Sequence, residues 1–298
     1  MRPWAPLVVA AASVAGLLNA APHAAAAIDQ TITMTVDGRA RTAVVHVPSG
    51  RPGRGGFPLV LAFHGRLGDG NGQERLSHLN DVADTEGFIA VYPDGYERSW
   101  NDGRDATPAH RDGVNDVKFV KLLLNRLENK YDVDTHRVYA TGMSNGGFFV
   151  QRLGCQMAGR IAAIAPVAAT LPTALGQSCR PAKRMPVLEI MGTADPLVPY
   201  DGGGDTMSAA DSAKRWRSLA GCTGTTSKAL PDKRSDGTTT SVLSGTGCRV
   251  PVKLYTVTGG GHTWPGGKQY LPAATIGRTS RDFDASRTIW AFFAGKRR

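Results

Sequence analysis

Apolar and polar residues alternate across residues 31–36 (TITMTV), and a second alternating stretch covers residues 42–47 (TAVVHV) after Asp37-Gly38. A period of two in short runs joined at an Asp-Gly step predicts a β-hairpin, because the tight turn needs positive φ. The pattern then changes. Residues 59–63 (LVLAF) and 88–92 (FIAVY) are continuous apolar runs, which predict strands buried on both faces. A helix is predicted over residues 76–85 between them. Val117, Val120, Leu124 and Leu127 recur at helical spacing, with Asp116 placed to cap the start. Further strands are predicted at 138–141, 162–167, 187–191 and 252–257, with helices at 146–157 and 285–293. Buried strands alternating with helices predict an α/β fold. Its mainly parallel central sheet would carry helices on both faces and an antiparallel hairpin at its start.

The first residues follow a different logic. Arg2 supplies a positive start, residues 6–18 are apolar, and Ala25-Ala26-Ala27 offers the small side chains that a signal peptidase needs. A signal peptide is therefore expected over residues 1–27 and one catalytic domain over 28–298. The apolar run is shorter than the roughly 20 residues that span a bilayer, so no stable membrane insertion is expected. This predicts a secreted or periplasmic protein. In that setting Cys155, Cys179, Cys222 and Cys248 are expected to form two disulfides, paired in sequence order as 155 with 179 and 222 with 248. A zinc site is the poorer reading, since no C-x-x-C pair is present.

Composition narrows the function. With 41% hydrophobic and 20% charged residues in 298, the chain can bury a large core and is not disordered. It carries 35 Lys and Arg against 25 Asp and Glu, a net charge of +10, but the basic residues are scattered. No nucleic-acid stripe is formed. Phosphate-binding, dinucleotide, H-E-x-x-H and EF-hand patterns are all missing from the sequence, so no cofactor and no metal are expected.

The chemistry centres on residues 142–146, Gly142-Met143-Ser144-Asn145-Gly146, a G-x-S-x-G element between a predicted strand and a predicted helix. Such an element holds Ser144 on a sharp turn, where only glycines tolerate the close neighbouring backbone. Ser144 is the candidate nucleophile. It needs a base, and His262 is the best placed of the histidines, in a Gly-rich loop after the last buried strand. Asp195, at the end of the strand over 187–191, is the candidate acid to orient that imidazole, with Asp201 and Asp205 read as solvated. The backbone N–H groups of Asn145 and Arg66 are the candidate oxyanion donors. His64 is read as a brace for the Arg66 loop rather than a base. Trp100, Tyr200 and Trp264 lie near these loops in sequence and are candidate substrate-binding aromatics.

With these residues assembled, the sequence resembles the secreted polyhydroxybutyrate depolymerases and the feruloyl and acetylxylan esterases of the α/β-hydrolase superfamily. The carrying segments are 63–66 (FHGR), 92–95 (YPDG), 141–147 (TGMSNGG), 192–200 (GTADPLVPY) and 260–266 (GGHTWPG). The resemblance implies Ser144, Asp195 and His262 as a catalytic triad, in agreement with the reading from spacing. It also implies small or oligomeric carboxylic esters as substrates, among them plant-wall carbohydrate esters. A peptidase or acyltransferase on the same fold, or a noncatalytic carbohydrate- or surface-binding protein, are the alternative readings. Neither the natural ester nor the oligomeric state follows from the sequence.

Overall fold

The computed structural model describes residues 26–298, together with Met1 and Trp4. The predicted signal peptide therefore falls, but for its ends, outside the described residues. Ten strands form one sheet: β1 (Ile28–Val36), β2 (Arg39–Val47), β3 (Phe57–Phe63), β4 (Ile89–Pro93), β5 (Val133–Met143), β6 (Ala163–Val167), β7 (Val187–Gly192), β8 (Gly224–Ala229), β9 (Thr239–Thr246) and β10 (Val252–Thr258). Their order across the sheet is β1-β2-β4-β3-β5-β6-β7-β10-β9-β8. The run from β4 through β3, β5, β6 and β7 to β10 is parallel, while β1, β2, β8 and β9 pair antiparallel at the two margins. The helices are α1 (Gly70–Ser77), α2 (Leu79–Glu86), α3 (Pro108–Arg111), α4 (Asp116–Lys130), α5 (Asn145–Gln156), α6 (Thr173–Ser178), α7 (Ala209–Ala220), α8 (Ala273–Ile276) and α9 (Ala285–Phe293). This is an α/β-hydrolase arrangement with an N-terminal antiparallel hairpin.

The continuous apolar runs are buried on both faces because successive side chains point to opposite sides of the sheet. Leu59, Leu61 and Phe63 of β3 pack with Phe119, Leu123 and Leu127 of α4 and Phe149 and Leu153 of α5. Val60 and Ala62 of the same strand join the opposite core with Leu79 and Val82 of α2 and Ile289 and Phe293 of α9. Aromatic stacking fixes α9: Trp290 lies 4.2 Å from Phe88, and Phe293 lies 4.8 Å from Tyr139 on β5. The β1–β2 turn is the one the Asp-Gly step predicts, with φ of 50° at Asp37 and 75° at Gly38.

Three local expectations are corrected. The helix predicted over 76–85 is two helices, α1 and α2, because His78 adopts φ 51° between them and Asp69 caps the earlier start through the Gly72 N–H. Asp116 does not cap α4. Asn115 does so, accepting from the Lys118 N–H, and Asp116 turns inward to pair with Arg41 at 2.7 Å. The C-terminal side of the sheet gains the β8–β9 hairpin. Its β8 is exposed throughout, so no apolar alternation marks it in the sequence.

Both disulfides pair as expected, Cys155 with Cys179 and Cys222 with Cys248. The first ties the end of α5 to the end of α6. The second ties the residue after the α7 cap to the loop between β9 and β10. No helix among the described residues is long and apolar enough to cross a membrane.

Candidate active site

Ser144 sits between the end of β5 and the start of α5 with φ 55° and ψ −125°, a backbone state that L-residues rarely adopt. Its N–H donates to the Val167 carbonyl at 2.9 Å, which pins the turn against β6. The flanking glycines permit the sharp geometry. A Cβ on Gly142 would stand 2.7 Å from the Phe63 carbonyl oxygen, and one on Gly146 would stand 2.3 Å from the same atom. Any larger residue at either position would push the β3 end away from the turn. The Ser144 side chain is half-buried and makes no hydrogen bond among the described residues, so its hydroxyl is uncommitted.

Asp195 follows β7 and His262 follows β10, neighbouring parallel strands that end on the same edge of the sheet as β5. Their side chains are brought together, with Asp195 Oδ2 2.7 Å from His262 Nδ1. The second carboxylate oxygen accepts the backbone N–H groups of Leu197 and Val198, both at 2.8 Å. A carboxylate held by three donors has one orientation only. It fixes the imidazole with Nδ1 as donor and leaves Nε2 free to accept. The His262 backbone is anchored as well: its N–H donates to the Ile276 carbonyl, and its carbonyl accepts the Tyr270 hydroxyl at 3.0 Å. Tyr270 was not singled out by sequence reasoning, because it lies eight residues beyond the histidine in a stretch without periodicity. Burial, and then the nearby Asp195 charge, push its hydroxyl up to about 12. It therefore keeps its proton near neutral pH and stays a hydrogen-bond donor to the His262 carbonyl.

The Arg66 loop reaches Ser144 from the other side. Gly65 lies so near that an added Cβ would be 3.3 Å from Ser144 Cβ. Neither the Arg66 N–H nor the Asn145 N–H has a hydrogen-bond partner among the described residues, while the next amide, Leu67, donates to the Arg98 carbonyl. His64 braces this loop. Its Nδ1 donates to the Gly65 carbonyl at 2.7 Å, and its Nε2 accepts the Gly95 N–H at 2.9 Å. Burial pushes its pKa down, and the accepting Nε2 requires the neutral ring.

The Asn145 side chain has a role the sequence reading missed. It is buried, accepts the Trp100 N–H at 2.8 Å, and donates to the Trp100 carbonyl at 3.0 Å and to Asp102 Oδ2 at 2.7 Å. Asn145 thus ties the segment from Trp100 to Asp102 to the start of α5. Sequence pattern alone could not pair Asn145 with residues more than forty positions away.

Two of the three candidate aromatics, Trp100 and Trp264, are corrected. Trp100 is fully buried, stacked 5.3 Å from Phe149, with its indole N–H donating to the His64 carbonyl. Trp264 is fully buried with its N–H on Ser286 Oγ. Both rings are packed in the interior with no surface open to solvent. Tyr200 is half-buried and its hydroxyl is paired with Thr256 Oγ1 at 2.8 Å. Asp201 and Asp205 are exposed, as read. No group of three or more His, Cys, Asp or Glu side chains among the described residues is arranged to hold a metal ion.

Residues 54–215 match the dienelactone hydrolase family. The chain belongs to that family. It is 33% identical over 281 residues to NocK of Nocardia uniformis subsp. tsuyamanensis, a protein assigned as an esterase, covering 88% of this chain and 81% of that one. It is 32% identical to Feruloyl esterase B of Piromyces equi over 76% of this chain, but spans only 44% of that enzyme's length. The acetyl xylan esterase structure from Aspergillus awamori superposes with a TM-score of 0.60 over 78% of this chain and 94% of its own, at 15% identity, which shows a shared fold. Family membership makes this chain a carboxylic ester hydrolase.

Proposed function

We propose that the protein is an exported serine esterase acting on small or oligomeric carboxylic esters through an acyl-enzyme. Ser144 Oγ attacks the ester carbonyl while His262 Nε2 takes its proton. Asp195 holds the ring and stabilises the imidazolium. The negative oxygen of the tetrahedral intermediate is received by the Asn145 and Arg66 N–H groups, which have no hydrogen-bond partner among the described residues. The protonated imidazole then gives its proton to the departing alcohol. Water, activated by the same base, releases the acid and restores Ser144. The Ser144 hydroxyl engages the base when substrate binds, since catalytic hydrogen bonds are often long in unliganded enzymes and tighten in the complex.

The observation that carries this reading is the Asp195–His262 pair at 2.7 Å, ending on the same sheet edge as a serine held at φ 55°. The two disulfides support an oxidising location, which fits export from the cell. Among esters, the names of the relatives point to feruloyl and acetyl esters of plant-wall sugars as candidates.

The test is replacement of Ser144 by Ala with p-nitrophenyl acetate and butyrate as substrates. Turnover is expected to fall by a factor on the order of 10⁶, and labelling by a fluorophosphonate probe to vanish. Turnover that survives the replacement would overturn the assignment.

A further inference from the structure

Large apolar side chains are almost all withdrawn from solvent in this molecule, and the exceptions are not scattered. Beyond the first strand, the exposed large hydrophobic residues among those described are Leu67, Leu197, Tyr270 and Leu271, at 68, 59, 39 and 47% exposure. Leu67 adjoins Arg66 on the oxyanion loop. Leu197 stands two residues beyond Asp195, and Tyr270 and Leu271 belong to the segment that anchors His262. Every one therefore lies on a loop that carries a catalytic group.

These residues are also held in place. Leu67 adopts φ 64° and donates its N–H to the Arg98 carbonyl at 2.9 Å. The Leu197 N–H is one of the two that grip Asp195 Oδ1. The Tyr270 hydroxyl donates to the His262 carbonyl, and the Leu271 carbonyl accepts from the Gln269 side-chain amide at 2.7 Å. A side chain tied to the catalytic backbone keeps its position through turnover. Apolar surface left in water costs about 25 cal/mol per Å² relative to burial. Concentrating that cost on three loops around one reaction centre is explained by an occupant that comes to that centre.

We propose that Leu67, Leu197, Tyr270 and Leu271 form an apolar rim that takes up the alkyl or aryl part of the substrate's acyl group. The enzyme then favours esters of longer or aromatic acids over acetyl esters. The inference rests on the esterase reading and narrows its substrate class. Exposed indole platforms, on which a sugar ring would stack, are missing from these loops because Trp100 and Trp264 are buried. The rim's hydroxyl, on Tyr270, is already used by His262. The surface is thus fitted to hydrocarbon rather than to the hydroxyl groups of a carbohydrate.

The experiment compares p-nitrophenyl octanoate with p-nitrophenyl acetate, which share a leaving group, in the full chain. In the double variant Leu197→Ser, Leu271→Ser the ratio of kcat/KM for octanoate to that for acetate should fall about tenfold. The variant Leu197→Met, Leu271→Met, which keeps the apolar surface, should retain the parent ratio. A ratio within twofold of the parent in the serine variant, or a parallel decline on both esters, overturns the rim. A parent enzyme that hydrolyses neither ester overturns the esterase reading itself, and the rim with it.

Discussion

Asn145 Nδ2 donates to Asp102 Oδ2 across 2.7 Å, joining the first residue of the nucleophile helix to a loop 43 positions earlier in the chain. The same amide brackets Trp100 through both its N–H and its carbonyl. Asp102 is itself fully buried and also takes the Arg104 guanidinium at 2.7 Å, which lies 3.5 Å over the Phe148 ring. The Ser144 turn, the segment from Trp100 to Asp102 and a buried ion pair are therefore one connected unit. Its members cannot be loosened singly.

Replacing Asn145 by Ala keeps the backbone N–H but removes these three hydrogen bonds; the buried Trp100 N–H loses its partner, while the Trp100 carbonyl still accepts from the Thr107 hydroxyl at 3.0 Å. A loss of about 3 kcal/mol in stability is expected, together with a fall in kcat as the turn loses its support. Urea titration and steady-state kinetics check both. A variant as stable and as fast as the parent would show that the clamp is dispensable.

Asp195→Asn retains the shape of the acid but presents an amide where His262 Nδ1 needs an acceptor, so the imidazole is held in the wrong tautomer. A fall in kcat of about 10⁴ with little change in fold is expected. Circular dichroism of the variant should match the parent, which separates this outcome from unfolding.

Glu189 on β7 is fully buried, and burial pushes its carboxyl up to about 7. One oxygen accepts from Gln151 on α5 and Ser212 on α7, while the other has no hydrogen-bond partner among the described residues. The folded state therefore binds this proton more tightly than the unfolded chain does. The resulting stability is complete below the ordinary value of 4.5 and is lost as pH rises through about 7. The loss by pH 8 is on the order of 3 kcal/mol. Glu189→Gln stays neutral, so its Tm should fall less than the parent's between pH 5 and pH 8. Scanning fluorimetry at the two pH values reads the difference, and identical slopes for parent and variant would refute it.

Each disulfide closes a loop of about 25 residues, with sequence separations of 24 and 26. Reduction is expected to lower stability by about 3 kcal/mol per bond through the entropy returned to the unfolded chain. A fall in Tm on adding dithiothreitol, reproduced by Cys155→Ser and by Cys222→Ser, checks this. Cys155→Ser should also loosen the far end of the nucleophile helix, visible as faster amide exchange in α5.

Much of this was readable in one dimension. Residues 59–63 read as a strand covered on both faces, because in a strand five consecutive apolar side chains cannot share a single side of the sheet. The G-x-S-x-G element at 142–146 announced its turn, since two glycines flank the one serine that a strand-to-helix corner would expose. The order Ser144, Asp195, His262 followed from where buried strands end. The local amino-acid pattern thus determined the parallel core and the strained corner, and it singled out the candidate reacting groups.

What only the tertiary structure decided is which distant groups share a partner. Trp100 and Trp264 read as ligand-binding rings in sequence, yet the packing of Phe149 and the hydroxyl of Ser286 claim them for the interior. Asn145 became a clamp and Tyr270 a support for His262 through hydrogen bonds whose partners the chain brings together only on folding. The exposed strand β8 escaped notice because a margin strand without a buried face carries no periodic signal. Periodicity records how one segment meets solvent and core. Hydrogen-bond partnership depends on where two segments meet, and that is settled only when the sheet is assembled.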